Sequence, residues 1–247
     1  MGILSGKGAV VTGGSRGIGR AIVQRLAADG ASVVFSYRAN EAAAGEVVAS
    51  VRAAGGRASA VRADQGQLDE LKRLFDEAES QLGSLDVLVN NAADVTKVSV
   101  IDTAEADYDR VMAVNAKAVF FAMQWAGRRL PDGGRIINIS TLNTVVPAPG
   151  IALYCASKAA VEQFAAVAAR ELGGRGITVN TVSPGATDTD ALRASNPPGS
   201  FDQTVAATAL QRLGQPADIA DVVSFLAGPD SRWITGQNLR VTGGLYV

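Results

Sequence analysis

Thr12-Gly13-Gly14-Ser15-Arg16-Gly17-Ile18-Gly19 follows the apolar run Ala9-Val10-Val11 and leads straight into a stretch with helical spacing. Glycine lets a backbone turn sharply and come close to a pyrophosphate. A helix that begins there offers free N–H groups and the positive end of its dipole to phosphate oxygens. Alone, the stretch also reads as a glycine-rich turn that holds nothing. Its place after the first strand of an alternating chain makes it a nucleotide-binding turn.

The alternation runs the whole length of the chain. Short apolar runs at 9–12, 32–37, 58–62, 86–90, 135–140, 178–183 and 238–241 predict strands. Longer amphipathic stretches separate them. Over 67–82, Leu68, Leu71, Phe75, Ala78 and Leu82 recur at three and four, the spacing of one helix face. Strand, helix and strand at this pace predict an α/β fold: a Rossmann-type, doubly wound parallel seven-stranded sheet flanked by helices on both faces. No repeat, linker or composition break divides residues 1–247, which read as a single dinucleotide-binding domain. One irregular stretch, 186–199, ends Asn196-Pro197-Pro198-Gly199 and reads as a long loop or lid.

Hydrophobic residues make up 47% of the 247 and charged residues 19%, which suits a well-filled core. A net charge of −1 leaves no electrostatic footprint for nucleic acid or an anionic membrane. The first seven residues contain no long apolar run, so no signal peptide is expected. No stretch approaches the ~20 apolar residues of a membrane span. Cys155 is the only cysteine, so no intramolecular disulfide can form, which fits a reducing, cytoplasmic setting. With one cysteine and no histidine, no transition-metal site is expected, and a Ser-His-Asp triad is excluded.

Without an imidazole, acid–base work near neutral pH needs another group. Tyr154-Cys155-Ala156-Ser157-Lys158 opens a helical stretch, and residues four apart share a helix face. Tyr154 and Lys158 can therefore point at one place. The spacing arises often by chance, and its other reading is a buried tyrosine beside a solvated lysine. A neighbouring cofactor site favours the catalytic one. Bringing a phenol from about 10 to about 7 takes roughly 4 kcal/mol. A positive charge about 4 Å away supplies about that much at an effective dielectric near 20. Lys158 and a positively charged group on the bound cofactor are the expected sources.

Taken together, these motifs resemble the short-chain dehydrogenase/reductase family, 3-oxoacyl-acyl-carrier-protein reductases among them. The family pattern Thr-Gly-x-x-x-Gly-x-Gly is matched by Thr12, Gly13, Gly17 and Gly19. Asn90-Asn91-Ala92-Ala93, Asn115, Tyr154 with Lys158, and Pro184-Gly185 with Thr189 follow in family order. The resemblance covers essentially the whole chain. Ala93 stands where the family usually has glycine.

An Asp or Glu at the end of strand two would hold an NAD ribose. Here the chain reads Ser36-Tyr37-Arg38-Ala39-Asn40, without an acid until Glu41. Arg38 offers a planar fork to a 2′-phosphate, and Arg16 could reach it from the glycine loop. Either alone reads as a surface charge; both together, with the acid missing, favour NADP(H). The cofactor set is then Gly13, Ser15, Arg16, Gly17, Ile18 and Gly19 of the loop, with Tyr37 and Arg38. The resemblance adds Asp64 and Gln65 at the adenine, where Asp64 also reads as a loop cap. It adds Asn91 and Ala92 along the cofactor, Tyr154 and Lys158 at the nicotinamide ribose, and Pro184, Gly185, Thr187 and Thr189 at the nicotinamide.

The resemblance implies a carbonyl reductase or alcohol dehydrogenase. Tyr154 protonates the carbonyl oxygen, Lys158 stabilises the phenolate, and Asn115 holds a water leading to solvent. A mid-helix asparagine also reads as satisfying a helix irregularity. The family serine lies thirteen residues before the tyrosine; that position is Thr141 here. Ser140 should face the other way along the strand, so Thr141 is expected to replace the serine as hydroxyl donor. Competing readings are a non-catalytic NADP-binding sensor, which the Thr141 departure encourages, and a sugar-nucleotide epimerase or dehydratase.

The substrate pocket is expected from 94–100, 142–153 and the 186–210 loop, which suggest a small-molecule, largely apolar carbonyl compound. Val145, Val146, Pro147, Ile151 and Leu153 carry that reading, and they also read as core or subunit contact. A substrate on acyl carrier protein would need a basic rim, for which Arg128, Arg129 and Arg175 are candidates. Residues 119–125 and 159–168 are apolar on more than one helix face, as in buried helices. One face should meet a second subunit; the resemblance implies a homotetramer or homodimer. Residues 243–247 could reach across that interface.

Overall fold

Seven parallel strands lie in the order β3-β2-β1-β4-β5-β6-β7 in the computed structural model, which describes residues 2–194 and 199–245. They are β1 (Gly8–Val11), β2 (Ser32–Tyr37), β3 (Arg57–Arg62), β4 (Val87–Asn90), β5 (Arg135–Ile139), β6 (Thr178–Pro184) and β7 (Asn238–Val241). Each expected strand is present, with ends displaced by at most one residue. Thr12 and Ser140 leave the strands but keep one backbone bond each, to Val89 and Val182.

The strands read as unbroken apolar runs because both faces are covered. In β1, Ala9 and Val11 enter the core beneath α1 (Gly17–Ala28), α2 (Glu41–Ala53) and α9 (Pro216–Ala227). Val10, between them, enters the opposite core with α3 (Leu68–Leu82), α5 (Ala118–Arg129) and α6 (Ala152–Leu172). The same period of two recurs in β2, with Val33 and Phe35 on one side and Val34 on the other.

The helix expected at 67–82 spans Leu68–Leu82, with Leu71, Leu74, Phe75 and Ala78 buried and Gly83 ending it in the left-handed region. Between α4 (Glu105–Met112) and α5 the helix widens into a π turn, Ala113–Lys117. The stretch expected as an irregular loop, 186–199, holds one short helix, α7 (Asp190–Ala194), and a second, α8 (Asp202–Ala207), follows within the 186–210 loop. Asn196, Pro197 and Pro198 lie outside the described residues. No helix among the described residues is long and apolar enough to cross a membrane, and no cluster of three metal-ligating side chains occurs among them.

Strand order reverses between β1 and β4, because the chain leaves β1 toward β2 and returns to β4 on the other side. The C-terminal ends of these strands therefore part to leave a crevice, where ligands of such sheets bind.

Candidate active site

The glycine turn builds one wall of that crevice. Gly13 and Gly17 have φ values of 69° and 53°. A Cβ on Gly19 would lie 2.1 Å from the Gly13 carbonyl oxygen and 2.5 Å from Asn91 Nδ2. Thr12 Oγ1 accepts from the N–H groups of Asn91 at 2.9 Å and Ala92 at 3.0 Å. Asn91 Nδ2 donates back to the carbonyls of Thr12 at 2.9 Å and Gly13 at 3.1 Å. From the other side, Ser36 Oγ accepts from Gly13 N–H at 3.0 Å and from Gln65 Nε2 at 3.1 Å.

The product is a cradle of bare backbone at the start of α1. No side chain among the described residues caps that helix. Ser15 and Ile18 are half-buried, and Arg16 is exposed. A cradle that excludes a Cβ and ends at uncapped N–H groups fits a pyrophosphate.

At the end of β2, Tyr37 is half-buried and Arg38 is exposed. Arg62, which the sequence reading did not single out, ends β3 in register with Tyr37. Its Nε donates to the Arg38 carbonyl at 3.2 Å. The parallel register of two strands is the signal that would have found it. Asp64 caps its own turn, Oδ1 accepting from Gly66 N–H at 2.9 Å. Gln65 is buried and gives its amide to Ser36.

The loop after β6 closes the crevice. Thr187 Oγ1 donates to the Gly185 carbonyl at 3.0 Å. Thr189 Oγ1 accepts from Leu192 N–H at 3.2 Å. The Thr189 methyl lies 3.3 Å from where a Gly17 Cβ would stand. Pro184 and Thr187 are buried at this join, with Gly185 half-buried.

Tyr154 and Lys158 sit one turn apart at the start of α6. Thr141 precedes the short 3-10 turn Leu142–Thr144 after β5, in extended backbone. Its hydroxyl lies near enough to the Tyr154 phenol to pull that group down, while Thr141 Oγ1 donates to Asn143 Oδ1 and accepts from Asn143 N–H, both at 3.2 Å. Ser140 points away and donates to Glu162 at 2.6 Å, as strand alternation requires.

Burial pushes the Tyr154 phenol above its ordinary value; the nearby Thr141 hydroxyl pulls it down, and neighbouring Cys155 pushes it up. Lys158 is 2% exposed, and burial lowers it from 10.5 to about 8. Its Nζ donates to the Ile139 carbonyl at 2.7 Å. One proton of the Lys158 ammonium is thus engaged at the end of β5, one helical turn from Tyr154.

Asn115 lies in the π turn and is fully buried. Its Oδ1 accepts from Asp94 N–H at 2.7 Å, and its Nδ2 donates to the Asp94 carbonyl at 2.8 Å and to Ser157 Oγ at 3.0 Å. Ser157 Oγ donates to the Tyr154 carbonyl at 2.8 Å. One amide thus joins the loop after β4, the widened turn and the helix bearing Tyr154.

Two walls of the expected pocket meet where Val98 N–H donates to the Gly150 carbonyl at 2.8 Å. Val95, Val100 and Val146 are exposed on these two walls and Leu210 on the third expected segment, whereas Ile151 is buried. The basic-rim candidates are misplaced. Arg175 donates to Asp132 and to the carbonyls of Gly127 and Leu130, and Arg129 pairs with Asp76 and Glu79. Arg128 adjoins them in the last turn of α5. That turn packs beside the start of β5, at the opposite end of the sheet from Tyr154.

Residues 13–246 match a family model described as enoyl-(acyl carrier protein) reductase. An uncharacterized oxidoreductase of Methylorubrum extorquens is 44% identical over 99% of this chain and 100% of its own length. A short-chain dehydrogenase from Burkholderia cenocepacia in complex with NADP superimposes with a TM-score of 0.92 at 44% identity, covering 98% of both chains. The angucycline C-6 ketoreductase LanV with bound NADP gives 0.93 at 43% identity, covering 99% of this chain and 97% of its own. The chain belongs to the short-chain dehydrogenase/reductase family and is an oxidoreductase by fold and kinship.

Proposed function

We propose that this protein is an NADPH-dependent carbonyl reductase, with residues 1–247 forming one catalytic domain in the cytoplasm. The observation that carries the reading is the placement of Tyr154 and buried Lys158 one turn apart on α6, beside the buried Thr141 hydroxyl and next to a glycine cradle. When bound, the nicotinamide supplies the hydride.

Gly13, Ser15, Arg16, Gly17, Ile18 and Gly19 would hold the pyrophosphate side of NADP(H). Arg38 and Arg62, with Arg16 across the cradle, would take the 2′-phosphate as planar forks. Tyr37, Asp64 and Gln65 would lie toward the adenine. Asn91, Ala92, Pro184, Gly185, Thr187 and Thr189 would line the nicotinamide end, where Lys158 and Tyr154 reach the ribose. The NADP complexes of the Burkholderia relative and of LanV support this choice of cofactor.

Tyr154 gives its proton to the substrate oxygen, and Thr141 donates a second hydrogen bond to the same oxygen. The high phenol value favours the protonated donor at neutral pH. Asn115 acts through its position. Its amide is already engaged, so any water it holds binds at a backbone carbonyl freed by the π turn. The exposed valines at the pocket mouth suit an apolar ketone. We also infer that the α5–α6 face joins subunits, because Phe120 and Val167 are exposed there and Phe120 stacks on Phe164 at 5.2 Å.

The test is NADPH oxidation against ketones, aldehydes, quinones and 3-oxoacyl thioesters. Turnover of at least one class is expected. Tight NADPH binding without turnover of any would favour a non-catalytic sensor.

A further inference from the structure

Glu162 lies one turn beyond Lys158 and two beyond Tyr154, so the three share one stripe of α6. Its Oε1 gathers hydroxyl groups from other segments. Ser140, directly after β5, donates to it at 2.6 Å. Thr144, which ends the 3-10 turn, donates at 2.8 Å. Ser183, near the end of β6, lies 3.5 Å away, but gives its proton to Asn238 Oδ1 at 2.7 Å. Its contact with Glu162 is therefore the loose one.

The two short bonds bracket Thr141. Ser140 precedes it and is 3% exposed. Thr144 follows by three, and its Oγ1 lies 3.1 Å from the Thr141 carbonyl oxygen. Hydroxyls bonded to a carboxylate are held about twice as firmly as those bonded to a neutral acceptor. A β-branched residue has few χ1 choices, so its hydroxyl direction follows the backbone beneath it. Fixing the backbone on both sides of Thr141 fixes where its hydroxyl points.

We propose that Glu162 is a positioning residue that clamps the 140–144 turn to α6 and so fixes the Thr141 hydroxyl on the Tyr154 side of that turn. The proposal rests on reading Thr141 and Tyr154 as the pair that handles the substrate oxygen. Glu162 itself does not touch substrate or cofactor in this scheme; it acts through the turn.

The test compares Glu162→Ala and Glu162→Gln with the full-length protein. Glutamine keeps an acceptor oxygen of the same reach. Amide exchange at residues 144–146 should quicken roughly tenfold in Glu162→Ala and stay within about threefold in Glu162→Gln. In NADPH-dependent carbonyl reduction, kcat should fall roughly tenfold in Glu162→Ala while KM for NADPH moves less than about threefold, with Glu162→Gln recovering most of kcat. If Glu162→Ala does not fold, Thr144→Val removes a donor instead and should give the same pattern.

Unchanged exchange in the variant lacking the clamp would overturn the proposal. So would a loss of kcat that Glu162→Gln does not recover. If the wild-type protein reduces no carbonyl compound, the reductase reading fails, while the exchange measurement still decides whether Glu162 holds the turn.

Discussion

Thr141 is the residue on which chemistry and kinship part company, since the family position is usually serine. In the proposed mechanism the hydroxyl is what the site uses, and it lies near enough to the Tyr154 phenol to pull that group down. Thr141→Ser should retain activity within about threefold, and Thr141→Val should lose roughly 100-fold in kcat/KM, the scale of one positioned proton-handling group. Equal losses in both would point to the methyl instead. Arg38→Asp should weaken NADP(H) far more than NAD(H), read by fluorescence titration of both; an unchanged NADP(H) dissociation constant would sink the 2′-phosphate assignment. Lys158 gives a pH signature. Its pKa is 10.5 when exposed and about 8 when buried, so between those values the unfolded chain binds more protons. Stability should therefore rise with pH across that window, and the native state carries the full penalty, about 3 kcal/mol, below it. Lys158→Met should be inactive yet at least as stable as wild type at pH near 7, with the advantage shrinking toward pH ~10. Denaturant titrations at the two pH values check this, and a constant difference would refute it. Tyr154 and Lys158 were legible from spacing, and Thr141 only through the family resemblance. Glu162 and Arg62 were not, because their roles come from strand ends far apart in sequence.

The π turn is the element with the largest return for its length. The poor helix propensity of Asn115 signalled an irregularity, and the structure gives it a form: one widened turn whose central amide makes three bonds. Its partners, Asp94 and Ser157, lie 21 and 42 residues away, so no local pattern names them. Asn115→Ala leaves buried polar groups unpaired and should cost about 2–4 kcal/mol, measured by urea unfolding. It should also lower kcat, because the loop before Thr96 and the helix of Tyr154 lose their shared tie. Stability within 0.5 kcal/mol of wild type, a typical surface-substitution effect, would contradict that role. The helices within the 186–210 stretch were illegible for another reason. They are one to two turns long, too short for a period to show.

Across the whole molecule, the parallel sheet sorts residues by end. Side chains at the C-terminal ends of strands form the crevice, while at the other end Arg129 ties α5 to α3 and Arg175 ties the turn after α6 to α5. The sequence reading of an α/β sheet was correct because apolar runs separated by glycine are strong local signals. It misassigned the basic rim because sequence alone does not say which end of a helix meets which end of the sheet. The apolar faces of α5 and α6 are the other large-scale feature. Phe120→Glu places a charge among Phe121 and Phe164. With the proposed subunit contact on this face, it should lower the mass seen in light scattering relative to wild type while leaving the monomer folded; an unchanged mass would count against the contact.

The stitching of Thr12 to Asn91 and Ala92 has a thermodynamic corollary. Four hydrogen bonds close the crevice floor from within the protein. The nucleotide need not order that backbone when it arrives, so little of the binding free energy is lost to disorder. Calorimetry should then find a modest negative heat capacity of association, proportional to the surface covered and lacking the large contribution of coupled folding.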